Sequence, residues 1–591
     1  MTASGEAADM TEAEHGTPGE RGGRGVLPSA AGGGKAGTTA EYDVVVAGSG
    51  AAGFAAALTA RLRGLSVLVL EKTGHYGGTT ALSGGAIWVP GNFHLTAAGL
   101  GDSRAHARAY LDATVGDRVP AERKEAYLEH GPRMVREFHV RTHVRFVHID
   151  GYSDYYPERP GGFARGRSIE PEVFDLRRLP AAERRRMRRA HLPTYGLTIT
   201  SYDFRHLNMA ARTWAGRRVS AKVGLRAVRD LALGRKPVAL GEALVARLRL
   251  SLARLGGHLW LDAPLDELLY DEGAGRVTGV RTYRAGRPVE VRARRGVVLA
   301  SGGFSRNQTL RDRHLPAPTS ADWTASPQGQ DGDALREGLR LGAAVDLMDK
   351  VWGAPSVVPP GSGAPFFLVA ERAIPGMIIV DGRGDRFVNE AAPYHEFVDT
   401  MYAHREATGA ETAPSWLVID ARSRARYPFM GLLPGQPFPR PMLTSGLVKK
   451  AGTLRELAGL TGLDADRLTR TVERFNTGAQ EGKDPDFGRG ESAYDNYYGD
   501  PTLPNPNLAA LDKPPYYAVP VLPGDLGTKG GLVTDARARV LREDGTAIGG
   551  LYAAGNAAAS VMGETYPGPG ATIGPAMTFA YIAVNDLASG R

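Results

Sequence analysis

Cysteine is missing altogether from the 591 residues. Disulfides, thiolate metal sites, iron–sulfur clusters and Cys-linked haem are thereby excluded, and any redox chemistry needs another carrier. Long apolar runs are missing too, since none approaches the roughly 20 residues that span a bilayer. The N-terminal stretch is rich in Gly, Ala and Glu and has no apolar segment of the kind a secretory signal carries. It is expected to be a disordered leader over residues 1–40, and the chain to be cytoplasmic. A third absence is local. Between Glu564 and Asp586, in a stretch that begins "TYPGPGATIGPAMTFA", no side chain is charged. A dicarboxylate site needs cations, bidentate arginine above all. This turn instead suits an apolar ligand with one neutral polar handle, such as a ketone.

The net charge is +8, but Lys and Arg are interleaved with Asp and Glu, which singles out no partner. The Arg-dense "RRLPAAERRRMRRAH" reads as a solvated helix face, with a peripheral basic surface on anionic lipid as the alternative. Nucleic-acid binding would need stacking aromatics or a known module, and neither is present. No metal site is expected.

Ordered sequence begins at "EYDVVVAGSGAAGFAAALTARLRGLSVLVLEK": an apolar β-branched strand, a Gly-rich turn, an Ala-rich helix and a second strand. Gly48, Gly50 and Gly53 form G-x-G-x-x-G between strand and helix, and Glu71 ends the next strand. The first glycine permits the tight turn, the second lets backbone approach a pyrophosphate, and the third lets helix and strand pack closely. The acid accepts ribose hydroxyls, and the helix N-terminus offers N–H groups to phosphate. Together they specify a dinucleotide site lined by Gly48, Ser49, Gly50, Ala51, Ala52, Gly53, Glu71 and Lys72.

The small residues Gly78, Thr79, Thr80, Gly84 and Gly85 follow, suiting a large cofactor. Later strands run into Gly-containing turns at Ala300, Ser301 and Gly302 and at Gly555 and Asn556. Asp333, Ala571 and Ile573 complete the set. The pattern favours FAD. No second strand-embedded motif serves a nicotinamide, so electrons pass to another acceptor, a quinone being one candidate. His75 reads as a loop histidine rather than an attachment point, which leaves the FAD non-covalent.

Residues 105–140 have helical periodicity, and residues 237–310 return to α/β texture. After Trp352 the sequence turns to Pro-rich loops and scattered strands, and α/β texture resumes near residue 529. One domain interrupted by another explains this order. The expected class is α/β, a Rossmann-like FAD-binding domain (41–352 and 525–591) interrupted by an α+β substrate domain (353–524).

These pieces resemble the flavoproteins that include fumarate reductases and 3-ketosteroid dehydrogenases. The uncharged turn resembles that of the 3-ketosteroid Δ1-dehydrogenases. The resemblance implies that Tyr566 and the N–H of Gly570 bind the steroid C3 carbonyl. It implies that Tyr394 is the general base, in an Asn-Glu-x-x-Pro-Tyr setting matched by Asn389, Glu390 and Pro393. It further implies that Tyr155 of "SDYYPE" supports the base by a hydrogen bond, with Tyr152 and Tyr156 as close competitors. The implied reaction introduces a C1–C2 double bond by removing a proton from C2 and a hydride from C1, the latter to flavin N5. The alternatives are a Δ4-(5α)-dehydrogenase or enone-reducing enzyme of the same fold, and a non-catalytic flavin-binding protein. Trp88, Phe304 and Trp352 are candidate steroid-ring contacts or ordinary core.

Overall fold

The computed structural model describes residues 40–190, 195–361 and 364–590. Of the expected leader, residues 1–39 lie outside the described residues, as does the end of the Arg-dense segment from His191. Strand β1 (Ala40–Ala47) carries Val44, Val45 and Val46 fully buried, as a continuous β-branched run predicts for a strand covered on both faces. It leads through the glycine turn into helix α1 (Ala51–Leu62) and then β2 (Val67–Leu70). β1 lies at the middle of an eight-stranded sheet, parallel to β2 on one side and to Arg287–Leu299 on the other. The strand Ala547–Ala553 adds in parallel beside Arg287–Leu299. The last helix, Ile573–Ser589, packs on α1. Both segments expected to return to the cofactor thus emerge beside the end of β1.

A second sheet of six strands is antiparallel and includes Val351–Val357, Met377–Val380, Ser415–Asp420 and Tyr516–Thr528. The expected domain boundaries at 352/353 and 524/525 fall inside two of its strands, which pair with each other.

Other expectations are corrected. The helical stretch 105–140 is two helices, Arg104–Thr114 and Ala121–Arg141, separated by a turn in which Gly116 has φ +59° and Pro120 starts the second helix. The loop-rich region after Trp352 contains the helices Tyr394–Thr408, Leu454–Thr461 and Ala465–Glu481. Their ends are well marked: Thr453 and Glu456 form a capping box, Asp464 caps the next helix, and Gly409, Gly462 and Gly482 close the three in left-handed conformation. The Arg-dense segment is not one solvated helix face. Arg177 and Arg178 end a short 3-10 turn and Ala181–Arg186 is α-helical; the chain then runs extended beside Tyr76, and Arg188 donates to Thr73 Oγ1 and Arg189 pairs with Glu242.

Candidate active site

The three motif glycines are required for different reasons. A Cβ on Gly48, at φ +108°, would lie 2.2 Å from the Ala300 carbonyl oxygen, and one on Gly53 would lie 1.8 Å from that of Gly48. Both positions are closed by the protein itself. A Cβ on Gly50 would meet only Thr80 Oγ1, at 3.6 Å. The space over Gly50 is open, as a phosphate-facing backbone requires. Helix α1 starts with no side-chain cap on Gly50. Ser49 donates to the Glu71 carboxylate, which is 8% exposed and also accepts from Thr73 N (3.0 Å).

The other candidates converge on this place. Gly48 abuts Ala300 and Ser301, and Gly78 and Thr80 lie against Gly50 and Ala51. Thr79 Oγ1 accepts from Gln330, which packs on Gly302. Lys72 bridges to Asp333 (3.0 Å) and Asp331 (2.7 Å). Gly555 faces Ala52, and Asn556 accepts from Trp352 Nε1. Gly85 packs on Leu240, whereas Gly84 has open space around it. Ala571 precedes Ile573, where the last helix begins with no side-chain cap. The Ser301 hydroxyl is buried with no partner in the protein. An open glycine cradle, a buried acid and an orphaned hydroxyl fit a dinucleotide flavin.

The uncharged turn is held by its carbonyls. Tyr110 Oη and Tyr155 N donate to Pro567 O at 2.6 and 2.9 Å, Ser168 Oγ donates to Pro569 O at 2.6 Å, and Trp88 N donates to Gly570 O at 3.1 Å. Gly570 itself needs to be glycine, because at φ +90° a Cβ would lie 2.3 Å from Ala86 O. Burial pushes the Tyr566 phenol up, while hydrogen bonding from Tyr394, Thr572 and the Gly570 backbone holds it back.

Tyr155, Tyr394 and Tyr566 form one buried triangle, with ring centroids 5.0–5.5 Å apart. Tyr394 is the first residue of its helix, immediately after Pro393. The preceding motif fixes that start. Glu390 accepts from Arg386 and Arg489 and from Ile379 N, all at 2.8–3.1 Å, and Asn389 bridges Ala391 N and Asp495. Of the competitors, Tyr152 stacks on Tyr497 and Tyr156 lies under Arg159, so the residue facing Tyr394 is Tyr155. Burial pushes Tyr394 well above the ordinary tyrosine value, while the hydroxyl of Tyr155, the expected supporting residue, works in the opposite direction. Trp352 packs edge-on against Tyr566 at 4.9 Å, whereas Trp88 and Phe304 are core side chains.

With this geometry in place, the chain was compared with known proteins. A family described as an FAD binding domain matches residues 43–573. The 3-oxosteroid 1-dehydrogenase of Mycolicibacterium smegmatis is 47% identical, over 93% of this chain and 98% of its own. The chain belongs to the 3-oxosteroid 1-dehydrogenase family. Among solved structures, the 3-ketosteroid Δ1-dehydrogenase of Sterolibacterium denitrificans, in complex with 1,4-androstadiene-3,17-dione, superposes with a TM-score of 0.90 at 42% identity, covering 94% of this chain and all of its own. The 3-ketosteroid Δ4-(5α)-dehydrogenase of Rhodococcus jostii is more distant, with a TM-score of 0.64 at 25% identity over 93% of this chain and 97% of its own. The protein is therefore an FAD-dependent oxidoreductase.

Two features of this dehydrogenase site were not visible in its sequence. Tyr494 packs on Tyr155 at 4.7 Å, and it stands in no motif. Lys529, fully buried, lies under the turn and donates to the carbonyls of Glu564 (2.6 Å) and Thr565 (2.8 Å). Its Nζ is 3.0 Å from His395 Nε2, which is in turn 2.6 Å from Glu564 O and 3.1 Å from the Asp399 carboxylate. Burial draws Lys529 down to about 7 and His395 well below its usual range.

Proposed function

We propose that the enzyme dehydrogenates ring A of 3-ketosteroids at C1–C2, with Tyr566, Gly570 and Tyr394 in contact with the substrate. The observation that carries the reading is the buried triangle of Tyr155, Tyr394 and Tyr566, with ring centroids 5.0–5.5 Å apart, at a turn that has no charged side chain. In this reading Tyr566 O–H and Gly570 N–H donate to the C3 carbonyl oxygen. As C2 loses its proton, negative charge grows on that oxygen. Donors already fixed in place stabilise it without reorganising, and one such donor is worth about 10²–10³ in rate. The Tyr394 phenolate takes the C2 proton. Tyr155 packs the base from behind and, through Pro567, holds the turn.

FAD is held by Gly48–Gly53, Glu71, the 78–85 loop and the turns at 300–302, 555–556 and 571–573, and when bound it accepts the two electrons leaving with the C1 hydrogen. A small diffusible acceptor, such as a quinone, reoxidises it in this proposal. The antiparallel-sheet region supplies Tyr394 and acts as the substrate domain.

Anaerobic titration of the holoenzyme with androst-4-ene-3,17-dione tests the reading. The flavin absorbance should bleach stoichiometrically, with a product lighter by two hydrogens and absorbing as a ring-A dienone. Bleaching only by 5α-saturated ketones, giving 4-enones, would move the assignment to the Δ4 reaction; no bleaching by any 3-ketosteroid would remove it.

A further inference from the structure

The base and the ketone-binding donor stand on different elements. Tyr394 opens the helix Tyr394–Thr408, and Tyr566 stands in the uncharged turn, far along the chain. A base that must reach C2 and a donor that must hold the oxygen on the adjacent C3 work together only at a fixed separation, since a misplacement of about 1 Å can cost about 10²-fold in rate. The fold has to hold that separation.

The carbonyls of the turn divide into two groups. Those after Tyr566, at Pro567, Pro569 and Gly570, accept from Tyr110, Tyr155, Ser168 and Trp88. Those before it, at Glu564 and Thr565, accept from Lys529, and the Glu564 oxygen also lies 2.6 Å from His395 Nε2. His395 is the residue next to the base. Among the described residues it is the one member of the base's helix that hydrogen-bonds a carbonyl between Glu564 and Gly570. The packing around it fixes its direction. Gly353, on the strand Val351–Val357, lies so close that a Cβ there would be 2.7 Å from the Val398 Cβ and 3.2 Å from the His395 carbonyl oxygen. Asp399, one helical turn on, brings its carboxylate to 3.1 Å from Nε2. Nδ1 is buried with no partner, so the ring meets the turn through Nε2.

Lys529 closes the arrangement. Its Nζ lies 3.0 Å from His395 Nε2 and 4.7 Å from the centre of the Trp352 ring, which packs edge-on against Tyr566 at 4.9 Å and donates through Nε1 to Asn556 Oδ1 at 3.2 Å. Asn556 belongs to one of the turns proposed to hold flavin. The Glu564 carboxylate faces elsewhere, toward Arg118 (3.2 Å) and Lys350 (3.5 Å). Burying an amine costs free energy that an apolar side chain would not. Here its contacts reach the base's helix and the ketone turn directly, and the flavin turn through Trp352.

We propose that His395 and Lys529 are positioning residues for the dehydrogenation: together they tie the helix of Tyr394 to the turn of Tyr566 and so set the distance between the base and the ketone-binding donor. The inference rests on the function proposed above. Neither side chain touches the substrate; both act through the backbone of Glu564 and Thr565.

The test compares the full-length, FAD-loaded parent with His395→Gln, His395→Asn and His395→Leu. Glutamine puts an amide where Nε2 stands, whereas asparagine ends near the unused Nδ1. Stopped-flow reduction of the flavin by saturating androst-4-ene-3,17-dione gives the limiting rate, and equilibrium binding of 1,4-androstadiene-3,17-dione gives the affinity. His395→Leu and His395→Asn should slow reduction about 10–10²-fold and leave the dissociation constant within about threefold of the parent's. The slowing should bring a larger isotope effect from deuterium at C2. His395→Gln should recover most of the rate, and Lys529→Met should slow reduction as the leucine variant does. Backbone amides of residues 562–572 should exchange hydrogen faster in His395→Leu but not in His395→Gln. Parental reduction rates in His395→Leu and Lys529→Met overturn the proposal, as does a loss of rate matched by an equal loss of steroid affinity, or a glutamine variant no faster than the asparagine one. A parent reduced by no 3-ketosteroid would remove the functional reading and with it the catalytic role of the tie; unchanged amide exchange in His395→Leu would remove the tie itself.

Discussion

Burial governs the chemistry of Tyr394. Desolvation disfavours the phenolate, and the neighbouring Tyr566 adds to the shift, so the resting side chain is a neutral phenol. A base with a raised pKa is active only in its minor form at neutral pH. Accordingly, kcat/KM should climb with pH through the neutral and alkaline range, following the growing phenolate fraction, and a flat profile would argue against Tyr394 as base. Tyr394→Phe should lose about 10²–10⁴ in kcat, while equilibrium binding of a 3-ketosteroid persists. Lys529 gives a second test. Its folded value is about 7 and its ordinary one 10.5. Between those values the unfolded chain holds the extra proton, so this group's contribution to stability rises with pH across that window, and its penalty is complete below it. Lys529→Met takes a donor from the carbonyls of Glu564 and Thr565, of which Glu564 O still has His395 beside it, and costs about 1–3 kcal/mol for the Thr565 carbonyl left bare. The melting-temperature gap between parent and variant should widen in the parent's favour from pH 7 upward; a gap independent of pH would count against the neutral amine.

At the scale of elements, the glycine turn offers a clean separation of folding from binding. Gly53→Ala drives a Cβ into the Gly48 carbonyl and should impair folding, whereas Gly50→Ala has room in the protein and should fold normally but hold little flavin. Circular dichroism with flavin quantitation distinguishes them, and a Gly50→Ala protein with full flavin would contradict the cradle. This turn was legible because its meaning is local: strand, turn, helix and acid follow in about thirty residues. The Tyr394 helix was less so. Its stop at Gly409 and the capping box at Thr453 were in plain sequence, but the surrounding prolines masked helical periodicity. Glu390 could be matched to a motif, yet nothing nearby foretold Arg489 as its partner. Tyr494 and Lys529 had no local signal at all, because their importance comes from what distant chain segments bring against them.

For the whole molecule, the proposed flavin cradle is assembled from segments far apart in the chain that come together around residues 48–53. A ligand that bridges them and binds only the folded state stabilises it by mass action, about 2.7 kcal/mol at a hundredfold excess over Kd. Flavin-free protein should therefore melt lower, and its melting temperature should rise with added FAD. Insensitivity to FAD would argue that the cradle is not where the cofactor binds.

The uncharged turn is also late in being made. Its anchors Tyr110 and Ser168 reach Pro567 and Pro569 across 457 and 401 residues of chain. At ribosomal speeds of roughly 5–20 residues per second, those anchors wait about 20 to 90 seconds for their partners to be made. The central strand β1 likewise waits for Arg287–Leu299. The nascent chain passes that interval with the sheet open beside β1 and the anchors of the turn unmade, so the site is built only after synthesis has passed the turn.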